Sequence, residues 1–116
     1  MNYIAMPGLR KPISLRKLDQ QIVVEMSDKI ITHTVTYFGI SLDKLKSQTR
    51  KRDICYVRQV CMYLMCTKTN LTLNYIGTLF GGRDHTSVIH SKKHIEDLMY
   101  SDPKVKIDIK NISEHL

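Results

Sequence analysis

The sequence predicts an all-α fold of five to six helices that includes a helix-turn-helix. Apolar residues recur every three to four positions along most of the chain, the spacing of helices that bury one face. Two adjacent glycines, Gly81 and Gly82, separate two such segments, and Asp84 follows them as a candidate N-cap. The sequence shows no credible sheet and no repeat, and its 116 residues match the length of a single domain.

Residues 1–13 predict an extended arm, because two prolines and a glycine interrupt any helical pattern there. A helix is expected from about residue 14 to residue 38, either as one helix or as two. Its apolar positions at helical spacing are Leu15, Leu18, Ile22, Met26, Ile30 and Tyr37. Gly39 is expected to end this helix, since glycine is favoured just past a helix C-terminus.

A short helical turn and a basic loop follow the first helix. Ser41 is a candidate N-cap, and we expect Leu42 and Leu45 to face the core. Residues 46–53 lack apolar periodicity and are rich in lysine and arginine. They therefore predict an exposed loop.

Two helices precede the glycine pair. The first is expected from about residue 54 to residue 68, and the second, capped by Thr72, from about residue 73 to residue 80. Their predicted core positions are Val57, Val60, Cys61, Leu64 and Met65 in the first helix, and Ile76, Leu79 and Phe80 in the second.

The helix after the glycines is expected to begin near Asp84 and to end near residue 99. We expect the Asp84 carboxylate to accept hydrogen bonds from the amides near Thr86 and Ser87. The predicted apolar face consists of Val88, Ile89, Ile95 and Leu98. Pro103 prevents the helix from continuing.

Residues 101–116 form a tail whose structure the sequence leaves open. Val105, Ile107 and Ile109 alternate with charged residues, which is typical of a strand. A single strand would have no partner in an all-α fold. The tail is therefore expected to be a helix or an irregular segment.

Positive charge is concentrated in one part of the chain. Between Lys44 and Ile95 there are ten lysines and arginines and two acidic residues, a net charge of +8. The other residues carry eight basic and nine acidic side chains, a net charge of −1. All the excess charge thus surrounds the glycine pair, which indicates a polyanionic partner, most simply nucleic acid.

Other features of the sequence exclude several classes of protein. No apolar run is long enough to span a membrane and no signal peptide is evident, so we expect a cytoplasmic protein. The three cysteines, Cys55, Cys61 and Cys66, lack the C-x-x-C spacing of a zinc knuckle. They are expected to be reduced and mostly buried, and no cofactor is predicted.

The run from Gly81 to His90 resembles the signature of the C-terminal DNA-binding domain of DnaA, the bacterial replication initiator family. That signature is Gly-Gly-Arg-Asp-His-Thr, then a threonine, an aliphatic pair and a histidine, and this chain departs from it with Ser87 in place of the threonine. Residues 57–64 resemble the family's Pro-Arg-Gln helix, and residues 73–80 resemble the first helix of its helix-turn-helix. The resemblance covers about residues 22–100 and implies a fold like those of Trp repressor and DnaA domain IV.

The resemblance also implies which residues contact DNA. Arg50 matches an arginine that enters the minor groove, where a narrow A·T-rich groove attracts a guanidinium group. Residues 84–87 match side chains that contact bases in the major groove, and Arg58 matches a phosphate contact. The predicted DNA-binding residues are Arg50, Lys51, Arg52, Arg58, Gln59, Thr72, Leu73, Arg83, Asp84, His85, Thr86, Ser87, His90 and Lys93.

The resemblance leads to a function without catalysis. The sequence contains no G-x-x-x-x-G-K-[ST] run, so we expect neither ATPase nor other enzymatic activity. The whole chain is expected to be one domain that binds double-stranded DNA specifically at DnaA-box-like sites, in replication initiation or its regulation. The alternatives are a transcriptional regulator, a mobile-element protein, or a protein-interaction domain that has lost DNA binding. Other replication or regulatory proteins are candidate partners.

Three rival interpretations have weaker support in the sequence. His90 and His94 are spaced to share a helix face, but a zinc site needs a third ligand that is not evident. Asp84, His85 and Ser87 are too close in sequence to face one another as a catalytic triad. RNA binding is disfavoured because no aromatic stacking platform is visible.

Overall fold

The computed structural model describes the backbone of residues 13–116 and the side chains of residues 21, 22 and 24–116. The described residues form six α-helices and no strand, which confirms the all-α prediction. The helices are α1 (Ile13–Phe38), α2 (Leu42–Lys46), α3 (Arg52–Lys68), α4 (Leu73–Leu79), α5 (His85–Ser101) and α6 (Pro103–Ser113). The predicted arm lies outside the described residues, except for Ile13, which begins α1. None of the described helices is both long and apolar enough to cross a bilayer.

Helix α3 is the centre of the core, because each of the other five helices packs against it. Its predicted core positions are confirmed: Val57, Val60, Cys61, Leu64 and Met65 are all buried. Burial raises the pKa of the Cys61 thiol to about 12, so this cysteine is a neutral core residue. Cys55 and Cys66 are only half-buried, and all three thiols are free.

Helix α1 is one continuous helix, and among its described side chains the buried ones all lie in its second half. Ile30 is buried as predicted, together with Ser27, Ile31 and Thr34. Three other positions of the predicted apolar stripe are exposed, namely Ile22, Met26 and Tyr37. That part of the prediction is wrong because other positions of α1, such as Ser27 and Thr34, take the place in the core. Of the three exposed residues, Tyr37 still contacts α6 through the hydrogen bond from its hydroxyl to Asp108. The side chains of Leu15 and Leu18 lie outside the described residues.

Local caps end α1 and begin α2 as expected. Gly39 has a φ of +68°, a left-handed conformation that favours glycine and turns the chain out of α1. The Ser41 hydroxyl then accepts a hydrogen bond of 3.2 Å from the Lys44 amide. Leu45 is fully buried, whereas Leu42 is exposed, contrary to the prediction. A helix of a single turn can direct few of its side chains inward.

The C-terminal tail is a helix, which settles the choice that the sequence left open. Pro103 occupies its first turn, and the Asp102 carboxylate caps it by accepting a 3.0 Å hydrogen bond from the Lys104 amide. The face turned to the core contains Val105, Ile109 and Ile112, while Ile107 is exposed. The alternation in the sequence is therefore misleading, because residues four and seven positions apart share the buried face.

Candidate nucleic-acid interface

The turn between α4 and α5 is built by three glycines. Gly81 and Gly82 have φ values of +81° and +73°, as expected from their predicted role. The Arg83 amide then donates a 2.9 Å hydrogen bond to the carbonyl oxygen of Gly77, inside α4. A Cβ at Gly77 would collide with the backbone carbonyl of Arg83, so the close approach requires glycine. The role of Gly77 is not among the sequence-based predictions, although a glycine in a helical pattern is a known signal of close packing.

Helix α4 is held in the core by its apolar side and is capped as predicted. Ile76 and Phe80 are fully buried, and Phe80 lies just past the helix, which ends at Leu79. The Thr72 hydroxyl accepts a 3.1 Å hydrogen bond from the Tyr75 amide. Thr72 is exposed and Leu73 is half-buried at this helix start.

Asp84 is the N-cap of α5, but its hydrogen bonds differ from the prediction. The carboxylate accepts from the amide of His85, at 2.8 Å, and not from the amides of Thr86 and Ser87. The Ser87 amide donates instead to the Asp84 carbonyl oxygen, at 3.0 Å. The Nδ1 atom of His85 lies 2.9 Å from the same carboxylate oxygen.

The environment of Asp84 favours its charged form. Desolvation is the largest single effect and opposes ionisation, but a hydrogen bond from the Thr86 side chain, the charge of His85 and hydrogen bonds from His85 together outweigh it. The pKa of Asp84 therefore lies below its ordinary value of 3.8. At neutral pH the start of α5 presents an ionised, fully exposed acceptor.

Helix α5 has two distinct faces. Val88, Ser91 and Ile95 are buried against the core. On the other side, Thr86, Ile89, His90 and Lys93 follow a spacing of three, four and seven residues and are all exposed. The prediction that Ile89 belongs to the apolar core face is wrong, since 46% of its surface is exposed. An aliphatic side chain thus lies among the polar candidates for base contacts.

The basic loop, which we define as residues 47–51, presents Arg50 and Lys51 to solvent, and Arg52 is exposed at the start of α3. Arg58 lies beneath this loop with only 5% of its surface exposed. Its Nε donates to the Leu45 carbonyl oxygen and its Nη2 to the Ser47 carbonyl oxygen, both at 2.9 Å. The predicted phosphate contact of Arg58 stays a prediction, and the structure turns its guanidinium toward backbone carbonyls.

Arg83 connects the basic loop to the turn before α5. Its Nη1 donates to the Phe80 carbonyl oxygen at 2.6 Å, and its Nη2 donates to the Ser47 carbonyl oxygen at 3.3 Å. Desolvation and the nearby charge of Arg58 lower the pKa of Arg83 from its ordinary value. The side chain of Gln48 adds a 3.3 Å hydrogen bond to the Gly81 carbonyl oxygen. The basic loop and the turn before α5 are therefore adjacent and joined by hydrogen bonds.

The structure exposes most of the predicted DNA-binding residues. The exposed ones are Arg50, Lys51, Arg52, Thr72, Asp84, His85, Thr86, Ser87, His90 and Lys93; Gln59, Leu73 and Arg83 are half-buried, and Arg58 is buried. The Nζ atom of Lys93 is 3.8 Å from Oδ1 of Asp97. Because both side chains are exposed, this weak ion pair leaves the lysine accessible. Among the described side chains, His90 and His94 have no third histidine, cysteine or acid arranged with them for a metal.

Comparison with known families agrees with this architecture. Residues 27–95, more than half of the chain, match the family described as the bacterial dnaA protein helix-turn-helix. The chain belongs to the bacterial DnaA helix-turn-helix family. The match begins at the buried Ser27 in α1 and ends at Ile95 within α5, so α6 lies beyond it.

The chain is also similar to part of a much longer DnaA protein. The chromosomal replication initiator protein DnaA of Leifsonia xyli subsp. xyli is 45% identical over 82 residues, which are 71% of this chain. The aligned part spans only 17% of that DnaA protein. This family is a DNA-binding domain, and the comparison thus concerns one domain of the initiator.

Proposed function

We propose that this DnaA-type domain binds double-stranded DNA specifically, at DnaA-box-like sites, and acts in replication initiation or its regulation without hydrolysing ATP itself. The observation that carries the proposal is the exposed face of α5 beside a cationic loop that is bonded to its turn. A packed helix with polar side chains at its exposed start suits the major groove. The net charge of +8 between Lys44 and Ile95 supplies the attraction for phosphates.

Base recognition is assigned to the first two turns of α5. The ionised carboxylate of Asp84 can accept a hydrogen bond from cytosine N4, and the hydroxyls of Thr86 and Ser87 can donate or accept. The Thr86 methyl and the exposed Ile89 can pack on thymine methyl groups. His85 and His90 extend this surface along the groove.

Orientation on the duplex is assigned to the residues around α5. Arg50 is proposed to enter the adjacent minor groove, where a narrow A·T-rich stretch favours a guanidinium group. The other proposed contacts go mainly to phosphates, which set the register but carry little sequence information. They are made by Lys51, Arg52, Arg58, Gln59, Thr72, Leu73, Arg83 and Lys93.

The proposal is tested by selecting bound duplexes from a random pool at near-physiological salt and sequencing them. The affinity for the selected duplex is then compared with that for a scrambled one, and should be higher by about 10³-fold or more. His85→Ala and Thr86→Ala should each cost about 1–3 kcal/mol on the selected duplex and little on the scrambled one. Lys110→Ala removes an exposed cation from α6 and is the matched control, with near wild-type specificity.

Two results would contradict this function. Equal affinity for selected and scrambled duplexes would show that binding is not sequence-specific. An affinity that is unchanged between 50 mM and 200 mM salt would show that the protein does not contact several phosphates, since such contacts make the affinity fall steeply with salt.

A further inference from the structure

Two arginines converge on one carbonyl oxygen beneath the basic loop. The Nη2 atoms of Arg58 and Arg83 donate to the Ser47 carbonyl oxygen, at 2.9 and 3.3 Å. Arg58 also reaches the Leu45 carbonyl oxygen at 2.9 Å and the Thr49 carbonyl oxygen at 3.4 Å. Arg58 thus bonds the last turn of α2 and the first half of the basic loop, which has no helix or strand of its own.

The same segment is held from the side of the helix-turn-helix. Besides Ser47, Arg83 bonds the Phe80 carbonyl oxygen, at the end of α4. Gln48 bonds Gly81, and a Cβ at Gly81 would lie 2.8 Å from the Lys46 carbonyl oxygen. The turn before α5 therefore packs directly against the chain that leads to Arg50.

We propose that Arg58 and Arg83 are positioning residues that hold the basic loop against the turn before α5. They thereby set where Arg50 lies relative to α5. They act on DNA through the loop, in addition to the phosphate contacts proposed for them above. This inference rests on the proposed function, because the placement of Arg50 matters only if the domain binds a duplex through both elements.

The chemistry of the two side chains agrees with this role. Burying a cation is costly unless its donors are satisfied, and the Arg58 guanidinium donates to backbone carbonyls of α2 and of the loop. A planar guanidinium can bond several carbonyls at fixed angles, whereas a lysine ammonium on a flexible stem cannot. A loop ordered before binding loses less conformational entropy when its arginine enters a groove.

The central test is Arg58→Lys, which keeps the charge and removes the fork of donors. Selection with the wild type and with Arg50→Ala first identifies the base pairs whose preference depends on Arg50. We expect Arg58→Lys to lose about tenfold discrimination at those base pairs and to keep the discrimination at base pairs contacted by α5. The double variant of Arg50→Ala and Arg58→Lys should discriminate no worse than Arg50→Ala alone.

A measurement without DNA accompanies the binding assays. Backbone NMR order parameters of residues 48–51 should fall in Arg58→Lys to flexible values, below about 0.6, while those of α5 stay near the rigid value. Thermal unfolding shows whether the variant is folded. If it is not, Arg83→Lys and Gln48→Ala replace it, with the same expected results. Gln48 is exposed and contributes one hydrogen bond between the loop and the turn before α5, so its loss should leave the fold intact.

The proposal is overturned if the loop stays rigid in a folded Arg58→Lys or, when that variant does not fold, in both replacement variants. It is also overturned if Arg58→Lys lowers the affinity for every duplex by one factor, or if its effect adds fully to that of Arg50→Ala. These results are distinct from failure of the proposed function, in which the wild type itself does not prefer the selected duplex. The order parameters are measured without DNA, so they test the role of Arg58 whether or not the wild type prefers the selected duplex.

Discussion

The backbone of Arg83 meets the backbone of Gly77 with no side chain between them. The Arg83 amide donates a 2.9 Å hydrogen bond to the Gly77 carbonyl oxygen, and the Arg83 carbonyl oxygen occupies the place where a Cβ at position 77 would lie. The turn thus packs directly on α4. This contact sets how α5 leaves the turn, and therefore how its exposed face is presented.

Gly77→Ala should lower the free energy of unfolding by at least about 3 kcal/mol, since a backbone carbonyl cannot move aside as a flexible side chain can. Gly82→Ala is the matched control. Its Cβ would meet nothing within 4 Å, so only the φ of +73° is penalised, by about 1–2 kcal/mol. Urea unfolding of both variants measures the difference, and equal losses would contradict the packing argument.

Asp84 should stabilise the free protein in a pH-dependent manner. Its pKa is lowered in the folded state, so its contribution is present above the ordinary pKa of 3.8 and is lost as the pH falls through the lowered value. Asp84→Ala should therefore have a lower Tm than the wild type at pH 7, and the gap should close toward pH 2. Thermal unfolding across this range tests it. Asp97→Ala, in an exposed pair with Lys93, should show little loss at pH 7.

Ile89 should contribute to the choice of base. Because nearly half of its surface is exposed beside Thr86 and His90, Ile89→Ala should leave folding largely intact. It should lower the affinity for the selected duplex by about five- to tenfold, as expected for the loss of an apolar contact with a thymine methyl. Ile107→Ala removes a somewhat more exposed isoleucine from α6 and should not change binding. Equal effects of the two variants in a titration would exclude a base contact by Ile89.

A buried carboxylate fastens α6 to the rest of the domain. Asp108 is 4% exposed and accepts 2.8 Å hydrogen bonds from the hydroxyls of Tyr37 in α1 and Tyr56 in α3. Burial, then the hydrogen bond and the charge of Asp108, raise the pKa of Tyr56. Tyr56→Phe should cost about 1.5–3 kcal/mol, the value of a hydrogen bond to a charged group. Tyr100→Phe, at a fully exposed tyrosine, should change stability by less than about 0.5 kcal/mol in the same denaturant assay.

Features that depend on local chemistry could be predicted from the sequence. Ser41 and Thr72 cap their helices as expected, because a short hydroxyl side chain bonds the nearest free amides in any fold. The glycine pair takes positive φ values because no other residue does so without strain. The exposed start of α5 and the loop around Arg50 followed from the same local signals and from the family signature.

Features that depend on packing between distant segments could not be predicted in this way. Val88 and Ile89 are adjacent aliphatic residues, and only the position of α5 on α3 decides which of them is buried. Arg58 is a charged residue whose burial requires carbonyls thirteen and eleven positions away in the chain. The helix at residues 103–113 was ambiguous because its partners, Tyr37 and Tyr56, lie far upstream in the sequence.

The hydrogen bonds from Arg58 and Arg83 to Ser47 hold the basic loop at a fixed distance from α5. If the loop and α5 cannot slide past each other, the two parts of a DNA site that they contact must be a fixed number of base pairs apart. One inserted base pair would move one part by about 3.4 Å along the axis and rotate it around the duplex. Such a site would then lose one whole set of contacts, while a domain with a loosely tethered loop would follow the shift.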